Sequence, residues 1–273
     1  MSPAPRRPIR ELPDELVSQI AAGEVVERPA SVVRELVDNA LDAGATQVTV
    51  RLLAGGVRLI LVEDDGAGIA REELALALRR HATNKIVSLA DLESVATMGF
   101  RGEALAAIAS VAELTLLSRT EGQASAFMLH AGSGELRPAA RAVGTTVEAK
   151  ELFFSTPARR KFLKSDATEL AHCVEAVRRH ALARPDVSFA IWHEGKLVEQ
   201  WRPATREQRL ADVLGREILE QSVAVQYAAA SVRVWGRAGV PDAARSRADQ
   251  QFAYVNGRFV RDKVLAHAAR SAY

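Results

Sequence analysis

Residues 35–44 read ELVDNALDAG, and they complete a helical stretch that decides how the first part of the chain folds. Apolar side chains recur at helical spacing on one side of it, namely Val32, Val33, Leu36, Val37, Ala40 and Leu41. Gly44 stands where a left-handed residue ends a helix. The other side carries Glu35, Asn39 and Asp42. This polar side is either an ordinary solvated face or a general base beside an oxygen ligand for Mg²⁺.

The composition is that of a globular protein. The chain has 273 residues, of which 48% are hydrophobic and 26% charged, and its net charge is +2. These values exclude a disordered chain, and the charge balance is too even to indicate nucleic-acid binding by itself. Cys173 is the single cysteine, which excludes an internal disulfide. No apolar run approaches the roughly 20 residues of a membrane helix, and residues 1–13 lack the core of a signal peptide. We therefore expect a soluble, cytoplasmic protein with no membrane partner.

Short strands alternate with helices along the rest of the chain. Two aliphatic runs, residues 48–53 and 57–62, flank Ala54-Gly55-Gly56 and predict an antiparallel hairpin. Further strands are predicted at residues 114–118, 126–130, 145–149, 187–193 and 196–201. Further helices are predicted from residue 14 and near residues 71–80, 103–110 and 168–183. The pattern indicates an α/β sandwich of one mixed sheet covered by helices.

The chain is predicted to hold two domains. Residues 1–203 form the first, and residues 204–273 form the start of a second α/β domain, after a linker at Pro203. In the second part we predict a helix at 206–214, a strand at 231–237 and a type I′ hairpin at Asn256-Gly257. The sequence stops inside a helical pattern at Tyr273, so we expect the second domain to be cut short.

A carboxylate and two glycines follow the second strand of the first hairpin. In the run Asp64-Asp65-Gly66-Ala67-Gly68, the glycines let the backbone approach a ligand, and Asp64 can accept an amino hydrogen such as that of adenine. The alternative is an ordinary Asp-Gly turn. A dinucleotide-binding fingerprint is disfavoured, because Arg71 stands at its third glycine position and a hairpin precedes it.

Residues 99–105, GFRGEAL, place two glycines just before the start of a helix. Free backbone N–H groups and the helix dipole favour a phosphate there, although the pattern also fits a flexible loop. No P-loop sequence occurs in the chain, so another architecture must hold any nucleotide. Further polar candidates for this site are Thr83, Asn84, Lys85, Thr145 and Thr146.

The remaining polar residues indicate less chemistry. The six histidines are scattered without metal-ligand spacing, and Cys173 is predicted to be a small core residue. Two basic clusters are either solvated faces or contacts for a phosphate backbone. The first comprises Arg159, Arg160, Lys161 and Lys164, and the second comprises Arg258, Arg261 and Lys263.

Four stretches are specific enough to identify a family. They are residues 19–29, 35–44, 99–105 and 156–163, which read QIAAGEVVERP, ELVDNALDAG, GFRGEAL and TPARRKFL. Together they resemble the N-terminal ATPase of the MutL family of DNA mismatch-repair proteins, within the GHKL superfamily of gyrase, heat-shock ATPase chaperones and histidine kinases. The resemblance covers nearly the whole chain. It implies a Bergerat-type two-layer α/β sandwich with a mixed sheet, followed by a partial second α/β domain.

The resemblance implies a role for each candidate residue. Glu35 is implied as the general base for water, Asn39 as the Mg²⁺ ligand, and Asp64 as the partner of the adenine amino group. Glycines make room for the ring, and threonines close the adenine side; these are Gly66, Gly68, Thr145 and Thr146. The lid that cradles the phosphates of ATP is implied to comprise Thr83, Asn84, Lys85, Gly99, Phe100, Arg101, Gly102, Glu103, Ala104 and Leu105.

The resemblance also implies partners. It implies an ATP-dependent homodimer that couples a mismatch-recognition protein of the MutS type to a downstream repair helicase or nuclease, in the cytoplasm and at the nucleoid. Both basic clusters are implied to bind DNA largely without sequence preference. The family's lysine for the γ-phosphate would lie beyond Tyr273, so we expect slow hydrolysis. The alternatives are a nucleotide-sensing DNA or protein adaptor, and a gyrase-type ATPase that residues 156–163 disfavour.

Overall fold

The computed structural model describes residues 25–85, 102–241 and 251–271. Its helices are α1 (Pro29–Asp42), α2 (Leu74–Ala77), α3 (Ala104–Ala109), α4 (Pro157–Arg160), α5 (Asp166–Ala183), α6 (Arg206–Leu214), α7 (Glu217–Glu220) and α8 (Lys263–Ser271). Its strands are β1 (Gln47–Leu53), β2 (Leu59–Asp64), β3 (Glu113–Arg119), β4 (Ala126–His130), β5 (Leu136–Ala139), β6 (Gly144–Lys150), β7 (Ser188–His193), β8 (Lys196–Trp201), β9 (Ser222–Ala229), β10 (Val232–Gly239), β11 (Ala253–Val255) and β12 (Arg258–Val260). The helix predicted from residue 14 falls largely outside the described residues.

One eight-stranded sheet forms the centre of the fold, in the order β5-β4-β3-β6-β2-β1-β7-β8. β1 and β7 are parallel, with Gln47 opposite Ser188, and the other neighbouring strands are antiparallel. The predicted mixed sheet is therefore confirmed. Asp64, the last residue of β2, lies opposite Thr145 of β6. This pairing brings two predicted parts of the site to one end of the sheet.

α1 contacts both the sheet and α5. Pro29 occupies its first turn, where a missing N–H is tolerated, and Gly44 follows its end with a φ of +76°. The apolar stripe predicted from the sequence is buried throughout. Burial of the stripe fixes the rotation of the helix about its axis, so Glu35 and Asn39 lie on a face that is only partly covered.

The turn between β1 and β2 depends on two glycines. Gly55 and Gly56 have φ values of +63° and +95°, which favour glycine. A Cβ atom on Gly55 would also lie 2.5 Å from the carbonyl oxygen of Asp166, at the start of α5. The predicted hairpin is confirmed, and its turn additionally allows α5 to approach closely.

Two small sheets follow the large one, β9 with β10 and β11 with β12. The predicted type I′ turn is confirmed, because Asn256 and Gly257 join β11 to β12 with φ values of +50° and +80°. α6 and β10 match the predicted helix and strand closely. The boundary at residue 203 stays a prediction.

Some elements differ from the sequence-based prediction. The helix expected over residues 71–80 is replaced by a 3₁₀ turn at Arg71–Glu73 and the short α2, because Leu74 alone among the residues of these two segments is buried. β5 is an edge strand that contains Pro138 and has mostly exposed side chains, so it lacks the alternating pattern of a half-buried strand. None of the helices in the described ranges has the length and hydropathy of a membrane span.

Candidate active site

The polar face of α1 holds a lysine from a distant part of the chain. The Nζ atom of Lys85 lies 2.9 Å from Oδ1 of Asn39 and 2.6 Å from Oδ2 of Asp42. The side chains of Lys85 and Asp42 are only 18% and 7% exposed, so the ion pair is largely shielded from water. The sequence did not predict this contact between Lys85, a residue of the predicted lid, and the helix.

The oxygens of Asn39 and Asp42 suit a metal ion as well as an ammonium group. Amide and carboxylate oxygens are the hard ligands that Mg²⁺ prefers. The Lys85 ammonium stands in for such a cation, because it contacts both oxygens at once. The described residues contain no group of three histidine, cysteine, aspartate or glutamate side chains that could hold a metal ion.

Glu35 lies one turn before Asn39 on the same helix, and its side chain is 24% exposed. The guanidinium of neighbouring Arg34 donates to Oε1 of Glu35, with Nη2 at 3.1 Å and Nε at 3.4 Å. Both contacts are to Oε1, so Arg34 does not engage Oε2. The arrangement suits a carboxylate that accepts a proton from water, the role predicted for Glu35.

Asp64 is held at the end of β2 by backbone donors. Its Oδ1 accepts hydrogen bonds from the N–H groups of Gly66, at 2.9 Å, and Thr145, at 3.2 Å. Burial raises the pKa of Asp64, and these two hydrogen bonds and the charge of Arg141 offset the increase only in part. In the described part of the chain no donor contacts Oδ2, which suits that oxygen to receive an amino group.

The glycines near Asp64 permit close packing of backbone on backbone. A Cβ atom on Gly66 would lie 2.8 Å from the carbonyl oxygen of Ala43, just after α1, and the N–H of Ala67 donates to that oxygen at 2.9 Å. Gly68 has a φ of +77°, and a Cβ atom there would overlap the carbonyl oxygen of Arg119. The Asp64 turn therefore packs directly against the end of α1, so the two predicted halves of the site are adjacent.

Two residues without a signal in the sequence stabilise the end of the sheet at which Asp64 and Thr145 lie. The hydroxyl of Ser118, which is 1% exposed, donates to or accepts from Thr145 Oγ1 at 2.9 Å and accepts from the N–H of Ile69 at 2.8 Å. Arg141 donates from Nη2 to the carbonyl oxygens of Asp64 and Thr145, both at 2.6 Å. No local pattern marks either residue, because Ser118 acts on a neighbouring strand and Arg141 reaches the carbonyl oxygen of Asp64, which is distant in the sequence.

Arg141 also reaches the second of the two predicted threonines. Its Nε donates to Oγ1 of Thr146 at 2.9 Å. Burial lowers the pKa of Arg141, although the carboxylate of Asp64 opposes that shift. Arg141 thus ties together the ends of β2 and β6, where Asp64 and Thr145 lie.

The two ends of the predicted lid lie against each other. Gly102 has a φ of +61°, and a Cβ atom there would be 2.5 Å from the carbonyl oxygen of Ala82. Nδ1 of His81 lies 3.1 Å from Oε1 of Glu103, and Thr83 Oγ1 accepts from the N–H of Lys85 at 3.1 Å. Ala104 and Leu105 are the first two residues of α3, and Asn84 is also among the described residues. Gly99, Phe100 and Arg101 lie outside the described residues.

The two basic clusters lie at opposite ends of α5. Arg159, Arg160, Lys161 and Lys164 precede the first residue of this 18-residue helix, which is roughly 27 Å long. Lys161 and Lys164 are exposed, whereas Arg160 pairs with Glu151 at 3.4 Å. Arg258 is the first residue of β12, Arg261 directly follows this strand, and β12 contacts α5 near its other end. Lys263 is the first residue of α8. The structure therefore does not merge the clusters into one patch.

Two family models match the chain. The model described as "Histidine kinase-, DNA gyrase B-, and HSP90-like ATPase" matches residues 27–149. The model described as "DNA mismatch repair protein, C-terminal domain" matches residues 210–273. The first spans α1, the Asp64 turn and the predicted lid, and the second spans the two small sheets.

Curated relatives and solved structures agree with these models. The chain is 61% identical over 268 residues to the DNA mismatch repair protein MutL of Ralstonia nicotianae, covering 98% of this chain and 42% of the relative. It is 54% identical to that of Herminiimonas arsenicoxydans, covering 98% and 44%. The chain therefore spans less than half the length of these relatives. The Aquifex aeolicus MutL ATPase domain complexed with ADP superposes with a TM-score of 0.68 at 30% identity, covering 91% of this chain and 89% of that one.

Proposed function

Because the chain belongs to the MutL family of DNA mismatch-repair proteins, we propose that it is the ATP-binding region of a repair switch. ATP binds with Mg²⁺ between the polar face of α1 and the Asp64 turn, and it is hydrolysed slowly to ADP and phosphate. The observation that carries this proposal is that Asp64, whose Oδ2 is contacted by no donor among the described residues, lies beside the Asn39–Asp42 oxygen pair, which already faces a cation.

Each nucleotide contact follows from a described side chain. Asp64 Oδ2 accepts the amino hydrogen of adenine. Gly66 and Gly68 allow the turn that carries Asp64 to pack against the backbone of Ala43 and Arg119. Thr145, fixed by Ser118, closes this side. The Aquifex aeolicus domain contains ADP, which supports the choice of an adenine nucleotide.

Hydrolysis requires positioning more than covalent chemistry. Oε2 of Glu35 orients a water molecule and accepts its proton, while the water oxygen attacks the γ-phosphorus and ADP leaves. Asn39, with Asp42 beside it, would hold Mg²⁺, which would neutralise charge on the phosphates. Lys85 must leave the oxygen pair when the metal binds, and its ammonium is then available to the phosphates.

The lid supplies the switch. Thr83, Asn84 and Lys85 at one end, and the segment from Gly102 to Leu105 at the other, converge at the His81–Glu103 contact. Gly99, Phe100 and Arg101 complete the proposed lid, which responds to bound nucleotide. That response then favours a homodimer that couples a MutS-type protein to a downstream helicase or nuclease.

DNA binds through the two basic clusters. Their positions at opposite ends of α5 suit separate contacts to phosphates along a backbone rather than one compact site. Such contacts carry little sequence information, and they weaken as salt concentration rises. Nucleoid association follows from this binding.

The Glu35→Gln variant tests the function. Gln keeps the size of the side chain and removes its ability to take a proton, so nucleotide affinity should stay within a few-fold while turnover falls by about a hundredfold or more. Complementation of a mismatch-repair defect with the full-length protein then distinguishes a hydrolytic switch from a nucleotide-sensing adaptor. Loss of repair supports a hydrolytic switch, whereas full repair by a protein without turnover would support the adaptor instead.

A further inference from the structure

His180 of α5 connects the site helix to another part of the fold. Its Nε2 lies 2.8 Å from Oδ1 of Asp38 in α1, and these two side chains are only 11% and 16% exposed. Its Nδ1 lies 2.8 Å from the carbonyl oxygen of Ala176, one turn earlier in α5. Contacts at both ring nitrogens fix the orientation of the imidazole. Asp38 is directly before Asn39 and one turn after Glu35, so this contact attaches α5 to the part of α1 that carries the proposed site residues.

The residues next to His180 contact the β11–β12 hairpin. Oη of Tyr254 donates to the carbonyl oxygen of Arg179 at 2.9 Å, and burial raises the pKa of that phenol. The guanidinium of Arg179 lies 4.3 Å from the ring centroid of Phe259. Arg178 lies 5.8 Å from the ring of Phe252. Three successive residues of α5 therefore touch the site helix on one side and the hairpin on the other.

Glu175 stiffens this turn of α5. Its Oε1 accepts from Nε of Arg179 at 3.0 Å, and its Oε2 accepts from Nη1 of Arg178 at 3.5 Å. The two arginines thus contact the carboxylate of Glu175 on one side and aromatic rings on the other. Because packed side chains have few alternative arrangements, a displacement on one side of this turn moves the residues on its other side.

We propose that His180 is a positioning residue that couples the nucleotide site to the β11–β12 hairpin through Asp38 on one side and the Arg178–Arg179 turn on the other. This proposal rests on the proposed ATP site, and it requires that occupation of that site shifts α1. Movement of α1 displaces His180 and, with it, the carbonyl oxygen that Tyr254 contacts. Coupling is reciprocal, so the position of the hairpin also sets the affinity of the site for nucleotide.

Hydrogen exchange measures this coupling directly. In the wild type, a non-hydrolysable ATP analogue with Mg²⁺ should slow exchange of amides 253–260 by about two- to thirtyfold, the range of couplings through packed networks. His180→Leu removes the donor to Asp38 and should abolish the response of the hairpin while the Asp64 turn remains protected by the analogue. His180→Gln retains an N–H donor and should restore the response. A hairpin response in His180→Leu equal to that of the wild type, or none in a wild type that binds the analogue, would overturn the coupling.

A second comparison needs no nucleotide. Tyr254→Phe removes the hydroxyl that contacts Arg179, and it should speed exchange of the amides of α1 about twofold or more, although Tyr254 is on a different element. Tyr227→Phe is the matched control, since Tyr227 is 65% exposed on β9. If both variants leave α1 unchanged, the link is absent. If the wild type fails to bind the analogue, the proposed ATP site is wrong, and this comparison still decides the link.

Discussion

Asp64 is subject to opposing influences on its protonation. Burial raises its pKa from the ordinary 3.8, and the N–H groups of Gly66 and Thr145 lower it by a smaller amount. In the proposed site the ionised form accepts the amino hydrogen of adenine, so affinity should fall as the pH decreases, beginning above the range in which an ordinary aspartate is protonated. Titration of adenosine binding measures this without interference from phosphate ionisation. Affinity that stays constant down to the ordinary aspartate range would contradict the role of Asp64.

Lys85 provides a second prediction at the scale of one residue. In Lys85→Met the oxygens of Asn39 and Asp42 lose the ammonium that contacts them, so Mg²⁺ should contribute more to nucleotide affinity. We expect the ratio of the dissociation constants without and with Mg²⁺ to rise roughly two- to fivefold, the scale of a partly screened ion pair. Lys196→Met, at an exposed position, is the control. If Lys85 contacted only phosphates, both constants would rise equally and the ratio would not change.

At the scale of an element, the turn after β2 depends on a glycine with a matched control elsewhere. Gly68 and Gly195 have φ values of +77° and +74°, but a Cβ atom would meet the Arg119 carbonyl oxygen at Gly68 and nothing within 4 Å at Gly195. Both alanine variants should lose about 1 kcal/mol from the left-handed conformation. Gly68→Ala should lose about 1 to 3 kcal/mol more from overlap. Urea unfolding measures both, and equal losses would show that the turn has room for a side chain.

α6 is attached to the preceding elements through one buried arginine. Arg209 is 1% exposed, and its guanidinium donates to five carbonyl oxygens, those of Ala181, Arg184, Pro185, Val187 and Arg202. Arg209→Ala removes the guanidinium donor from all five acceptors, of which the carbonyl oxygens of Arg184 and Pro185 still accept from backbone N–H groups. It should lower the free energy of unfolding by about 3 kcal/mol or more. Arg216→Ala, at an exposed position, should change it by less than about 0.5 kcal/mol. Similar values for the two variants in urea unfolding would refute this attachment.

At the scale of the whole molecule, the sequence predicted what local patterns encode. Helical spacing predicted α1, and a glycine-rich turn predicted the β1–β2 hairpin, because each depends on neighbours within a few residues. Contacts made by Ser118, Arg141 and His180 were not predicted, since they join strands or helices that the fold alone brings together. Lys85 was predicted as a lid residue, but its partners on α1 became visible only in the structure.

The central claim is that Asp64 recognises adenine in an ATP site built on α1. Calorimetry of a non-hydrolysable ATP analogue with Mg²⁺ tests it on the wild type, Asp64→Asn and Asp186→Asn. The last is the control, since Asp186 is an exposed carboxylate that pairs with Arg184 at 2.7 Å. We predict that the wild type and Asp186→Asn bind alike, and that Asp64→Asn binds about ten- to hundredfold more weakly, the loss of one hydrogen bond to a charged group. Binding by a folded Asp64→Asn that equals the wild type, or no binding by the wild type, would contradict the claim.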